Sequence, residues 1–265
     1  MTTSSVALVP CDDYASALPD AVDRLFAHLG GMESVVQPGQ SVLIKPNLLT
    51  DRTPDEAVCT HPELVRRVIR AVKKCGARPV VGDSPASFSK LELVWQKTGF
   101  GALCAEEQVP LLNLEKAGSQ HFESNGFSFS IARPVLDADV VINMPKVKTH
   151  VLTILTAAVK NLYGTVPGLQ KPTLHKIHPT PPDFGRLIAE IYRKVPPALT
   201  IADAVWGMDG DGPSAGHPVH LGFLAASTDA VALDLTLCRL LRIRPAVVPY
   251  LAPFLAEYPP ERIQV

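Results

Sequence analysis

The chain has 265 residues, 46% of them hydrophobic and 19% charged, a balance that excludes disorder, a collagen-like chain and a coiled coil as descriptions of the whole. Its 25 Lys and Arg against 26 Asp and Glu leave a formal charge of -1, so no global field favours nucleic acid or an anionic membrane. Any anion site must be local.

The amino terminus, MTTSSVALVPCDDY, carries no cationic n-region, and no apolar run elsewhere approaches the roughly 20 residues that span a bilayer. A cytoplasmic protein with no membrane partner is expected. In chain order, SVALVP reads as a strand and Leu18 to Leu29 as a helix. SVLIKPN at 41–47 is the next strand. Thr60-His61-Pro62 opens a helix to Cys75, with Thr60 as N-cap and Glu63 completing a capping box. In that helix Leu64, Val65, Val68, Ile69 and Val72 form one apolar stripe, which must dock on a sheet. RPVVGDSP at 78–85 is a strand and Lys90 to Thr98 a helix.

Residues 109–135 break the pattern. Asn125-Gly126, flanked by Phe122, Phe127 and Phe129, signals an antiparallel β-hairpin insertion. ADVVINMPKVK at 138–148 is a further strand, followed by helical patterns over Leu152 to Leu162 and Pro182 to Arg193. ALTIADAV at 198–205 and HLGFLAAS at 220–227 are strands, and Ala230 to Leu241 a helix. The Pro-rich segment 244–265 is expected to pack as a C-terminal helix or arm. Most strands are continuous apolar runs, as in parallel sheets buried on both faces. The expected class is α/β, a mainly parallel sheet with helices on both faces and a small antiparallel hairpin insertion. Without repeats or a linker, 1–265 reads as a single α/β domain.

Four strands run directly into functional side chains: Lys45-Pro46-Asn47, Gly82-Asp83-Ser84-Pro85, Pro145 to His150, and Asp203 with Gly207 to Pro213. Carboxyl ends of parallel strands lie on one edge, where ligands bind in such sheets, so these clusters should share a site. Turn formation explains the Asp, Ser, Gly and Pro residues; it does not explain the recurring lysines.

Lys146 and Lys148 alternate with Val147 and point to one side of an extended segment, with Thr149 and His150 continuing the run. Two cations on one side call for a carboxylate or phosphate, helped by free backbone N–H groups of a helix beginning near Leu152. Lys45, Asn47, Ser84, Lys146, Lys148, Thr149 and Asn161 are therefore the candidate substrate-binding residues. His150, Lys160, Asp83 and His61 are the candidate catalytic ones. A buried Lys160 would have a lowered pKa and serve as base or nucleophile, and an imidazole titrates in the range that proton transfer needs.

Asp209 and Asp211, with His175 and His178 in an H-x-x-H spacing, are candidate ligands of a divalent metal. The chain has no G-x-G-x-x-G after a strand, no P-loop and no H-E-x-x-H, which removes the common dinucleotide, triphosphate and zincin readings. The cysteines Cys11, Cys59, Cys75, Cys104 and Cys238 are scattered singly, so no iron-sulfur cluster is expected.

IKPN, THPELV, GDSP, NMPKVKTH, AVKNLYG, the His175 region, DAVWGMDGDGPSAG and STDAVALD, spread over approximately residues 41–236, resemble the family called domain of unknown function 362. Many of its members carry an added ferredoxin-like domain whose cysteines hold two iron-sulfur clusters; those cysteine runs are missing here. A looser similarity, in the style of the sheet-edge site, is to the lactate racemase that uses a nickel-pincer nucleotide with catalytic His and Lys residues. No motif of that enzyme is matched residue by residue.

Two functions fit. One is a small-molecule enzyme holding an anionic substrate at the sheet edge for isomerisation, cyclisation or elimination, with lysines stabilising a developing enolate. The other is a protein that binds or delivers a metal or phosphate-bearing cofactor in redox metabolism. The cofactor is left open in both, as is the oligomeric state; the expected partner is a small anionic molecule.

Overall fold

In the computed structural model, which describes residues 3–86 and 89–265, the apolar runs become strands and the amphipathic stretches become helices. The chain begins with β1 (Ser4–Ser5), β2 (Ala7–Pro10) and α1 (Leu18–His28). β3 (Ser41–Pro46), α2 (Pro62–Lys74), β4 (Arg78–Asp83), α3 (Leu91–Lys97), α4 (Phe100–Glu106) and β5 (Leu111–Asn113) follow. Then come β6 (Ser119–Ser124), β7 (Phe127–Ala132), α5 (Arg133–Asp137), β8 (Val140–Met144), β9 (Lys146–His150), β10 (Ile154–Thr156) and α6 (Ala158–Asn161). α7 (Gln170–Ile177), α8 (Pro181–Lys194), β11 (Leu199–Asp209), β12 (His217–Ser227) and α9 (Ala230–Leu240) complete the body, and a tail of 3₁₀ turns ends in β13 (Ile263–Gln264), paired with β1.

The central sheet is mostly parallel. β5, β4, β3, β8 and β11 run side by side in one direction, β12 pairs antiparallel with β11, and β2, antiparallel to β12, again runs with the parallel set. β8 continues past Pro145 into β9, and the long β11 pairs with both, Thr200 facing Asn143 and Asp203 facing Lys146. Successive residues of β3 serve two cores: Val42 and Ile44 pack with Leu25, Val65, Ile69 and Phe100 on one face, and Leu43 packs with the core of Phe184, Ile188 and Leu233 on the other. Helices cover both faces, as the continuous apolar runs require.

The hairpin forms where expected. Asn125 (φ 50°) and Gly126 (φ 82°), both in the left-handed region, make a two-residue turn whose twist matches the right-handed twist of the flanking strands. Its tip is anchored: Ser124 Oγ and the Asn125 amide donate to the buried carboxylate of Glu190 on α8, at 2.7 and 2.9 Å.

Three local expectations are corrected. The stretch 152–162 is not one helix, because Ile154 takes φ 65° after a tight turn and the chain folds back as β10 on β9 before the short α6. β-branched Thr153, Ile154 and Thr156 favour that extended path. The α6 amides of Ala158 and Val159 are not free for a ligand either, since both donate to the buried Asp234 carboxylate, at 2.7 and 2.9 Å. Finally, α2 is capped by His61, whose Nδ1 accepts from Glu63 N. Thr60 instead ties strand ends together, donating to the Met144 carbonyl at 2.7 Å and accepting from Asn47 N at 2.8 Å.

Candidate functional site

The carboxyl ends of β3, β4 and β9 open on a cavity of about 260 Å³, lined on its other sides by β10, α6, Gly164 and α7. Lys45 and Asn47 enter from the end of β3, Asp83 and Ser84 from β4, His150 from β9, and Lys160 and Asn161 from α6. Lys171 and His175, four residues apart on α7, present one helical face to the same space. Residues more than a hundred positions apart thus meet, as convergence at the parallel edge requires.

At the base, Lys45 Nζ lies 2.9 Å from Asp83 Oδ1, both groups buried, while Asp83 Oδ2 accepts from Leu48 N at 2.7 Å. Burial pulls the Lys45 ammonium below its ordinary pKa and Asp83 partly offsets this. Gly164 passes directly over the pair: a Cβ there would come within 2.5 Å of both Asp83 Oδ1 and Lys45 Nζ. Beside it runs a chain of amides. Lys148 Nζ donates to Asn47 Oδ1 (3.3 Å), Asn47 Nδ2 to Asn161 Oδ1 (3.1 Å), and Asn161 Nδ2 to Asn143 Oδ1 (2.8 Å).

Among the lining side chains, cations exceed carboxylates. Burial, then the neighbouring Lys148, Lys171 and Lys45 charges, bring Lys160 down to about 7. Lys148 and Lys171 are lowered to about 8, chiefly by burial. His150 falls to about 2 and His175 to about 4, again by burial and then by the lysines, so both rings are neutral at physiological pH. His150 Nδ1 accepts from Leu152 N (3.1 Å) and Thr153 N (3.3 Å), which assigns the proton of its neutral ring to Nε2. His150 is therefore built to donate a hydrogen bond.

Not every candidate reaches this cavity. Lys148 lies just behind it, donating to the Val58 carbonyl at 2.6 Å. Lys146 and His61 belong to a separate buried cluster: Lys146 Nζ donates to Asp203 Oδ2 and to Tyr14 Oη, both at 2.9 Å, and Tyr14 Oη donates to Asp203 Oδ1 at 2.6 Å. The His61 ring stacks on Tyr14 at 3.6 Å between centroids, and its backbone N–H donates to Asp203. Thr149 Oγ1 donates to the Gly210 carbonyl at 3.0 Å, holding the loop after β11.

The four candidate metal ligands are not brought together. Asp209 ends β11 and Asp211 lies on the loop after it, both exposed, and the His178 ring packs 5.1 Å from Phe127, while His175 lines the cavity between Tyr163 and Phe184. Among the described residues, no three His, Cys, Asp or Glu side chains are grouped to hold an ion.

Lys171, Tyr163 and Thr156 line the cavity without having been singled out from the sequence. Lys171 carried a usable signal, its i,i+4 spacing to His175, masked by the Pro-rich setting. Thr156 carried none.

The family model described as domain of unknown function (DUF362) matches residues 42–239. The chain belongs to this family. A relative, the thylakoid-associated protein sll1697 of Synechocystis sp. (strain ATCC 27184 / PCC 6803 / Kazusa), is 37% identical to this DUF362 chain over 251 residues, 94% of this chain and 78% of that protein. The lactate racemase apoprotein from Thermoanaerobacterium thermosaccharolyticum superposes with a TM-score of 0.58 at 13% identity, over 94% of this chain. The DUF362 chain spans 58% of that protein's length, and the likeness is one of fold. Among the described residues no helix is long and apolar enough to cross a membrane.

Proposed function

We propose that the cavity binds a small anion bearing a carboxylate or phosphate and that Lys160 moves a proton at the carbon beside its carbonyl or carboxyl group. The observation that carries this reading is the gathering of Lys45, Lys160, Lys171 and neutral His150 around one cavity that is lined, among the described residues, by a single carboxylate, Asp83.

The neutral Lys160 amine takes the proton from carbon, and the released electron pair moves onto the carbonyl or carboxylate oxygen. His150 Nε2–H and the Lys171 ammonium donate to that developing oxyanion, a role supported by their shared place in the cavity lining. Returning the proton to the same or a neighbouring carbon gives isomerisation; expelling a group at the next carbon gives elimination. The fold shared with a lactate racemase supports an isomerase-like role by analogy alone. The test is deuterium wash-in from D₂O, followed by proton NMR, across a panel of small 2-hydroxy, 2-oxo and phosphorylated acids. Exchange at one carbon of at least one member is expected, and its absence across the panel counts against proton transfer.

A second reading, retention of a phosphate-bearing cofactor in the same cavity, is favoured by the excess of lysines over carboxylates, which suits a multiply charged phosphate. The donor set fits an anionic group rather than a metal held by the protein's own side chains. A phosphate ester retained in native mass spectrometry, with no exchange in the panel, would select it. A cytoplasmic location remains part of the proposal, alongside a relative named for the thylakoid.

A further inference from the structure

Two buried hydroxyls lining the cavity, Ser84 Oγ and Thr156 Oγ1, have no hydrogen-bond partner among the described residues. Protein interiors rarely leave such groups unpaired, because each was stripped of water without compensation. Both stand beside a lysine. The Lys171 ammonium donates to the Ser84 carbonyl, so it lies against that residue. Thr156 is the direct cross-strand partner of Lys148 in the β9–β10 ladder, which sets the two side chains on one face of the sheet.

From this pairing, and resting on the anion-site reading above, we infer that the natural ligand carries two separate anionic groups, one received by Ser84 and Lys171, the other by Thr156 with the Lys148 charge directly behind it. Lys45 is already matched by Asp83, whereas Lys148 and Lys171 have no ion-pair partner among the described residues. Glu115, on the turn after β5, is the other carboxylate facing Lys171, and it forms no ion pair with it. Lys148 spends two donors on Val58 O and Asn47 Oδ1 and keeps one.

Two cations for two anionic groups leave Lys160 free to act as the base. The other groups around Lys160 are Lys45 and Asp83 at the cavity floor, the neutral rings of His150 and His175, and the Tyr163 phenol. None of them adds a second negative charge. The corner at Ser84 is kept open by Gly168, where a Cβ would come 3.2 Å from Ser84 Oγ and 2.6 Å from the Glu115 carboxylate. About 260 Å³ lies below the ~300–1,000 Å³ of pockets for drug-sized ligands. The class is a small dicarboxylate, or an acid bearing one phosphate.

Isothermal titration of the full chain with malonate, succinate, acetate and inorganic phosphate, at fixed pH and ionic strength, tests this. The tighter of the two dicarboxylates should bind at least about tenfold more tightly than acetate or phosphate, each of which fills one position. Ser84→Ala and Thr156→Val should each erase about that tenfold preference while acetate binding persists. Their melting temperatures without ligand should stay level or rise, since each change removes an unpaired buried hydroxyl. Equal affinity for acetate and the dicarboxylates, or an unchanged preference in both variants, overturns the two-anion inference and leaves the anion site standing. Failure of all four probes to bind overturns both.

Discussion

Replacing Lys160 with Met leaves the protein folded and lowers deuterium exchange into substrate by about 10²–10⁴-fold, the usual contribution of a positioned general base. Lys160 lines the cavity without an ion-pair partner among the described residues and is surrounded by Lys148, Lys171 and Lys45, so a large share of it is the neutral amine near pH 7. Methionine keeps the length and the packing and removes the amine. Because the lost charge is one that burial and its neighbours oppose, the melting temperature should hold or rise. Substrate or malonate binding should persist, since Lys148 and Lys171 remain. Exchange within threefold of the parent would remove Lys160 from the chemistry, whatever the rest of the cavity does.

The second large effect concerns stability. Replacing Asp203 with Ala should cost about 3–5 kcal/mol, because it leaves the Lys146 ammonium buried without its counter-charge. Asp203 is fully buried on β11 and receives Tyr14 Oη, Lys146 Nζ and the His61 backbone N–H. It thereby ties the segment before α1, the start of α2 and strand β9 to the central sheet. Adding Lys146→Met to the Asp203→Ala variant should recover part of the loss, since the stranded charge goes with it. Urea unfolding of the parent, the single variant and the double variant measures this; a single-variant cost under 1 kcal/mol would show that the cluster does not hold these segments together.

These two clusters also mark how far the sequence could be read. Strand ends were legible because SVLIKPN, RPVVGDSP and DVVINMPKVK each pass from an apolar run into Lys, Asp or Asn, and parallel topology then places those ends on one edge. The hairpin was legible from Asn125-Gly126 because few residues other than Asn and Gly accept its backbone angles.

The separation of Lys146 from Lys148 was not legible. Both point to the same side of β9, but the ladder with β11 shifts between Asp203 and Met208, setting Lys146 opposite Asp203 and leaving Lys148 toward Asn47. Such a partner assignment depends on a strand more than fifty residues away. The 152–162 segment misled for a related reason: its apolar spacing fits a helix, but the turn at Val151–Ile154 is fixed by pairing with β9. Lys171 and Thr156 became visible as cavity groups only once α7 and β10 were placed.

The most direct check on the convergence of these segments is competitive lysine labelling with acetic anhydride, read by mass spectrometry across pH, with and without malonate. Lys160 from α6 and Lys171 from α7 should react with midpoints near pH 7 and 8, far below the ~10.4 of an unperturbed lysine. Reactivity falls as pH drops through each midpoint, since only the neutral amine reacts. Malonate should protect both lysines along one saturation curve. Protection of one without the other, or ordinary midpoints for both, would contradict a shared cationic cavity.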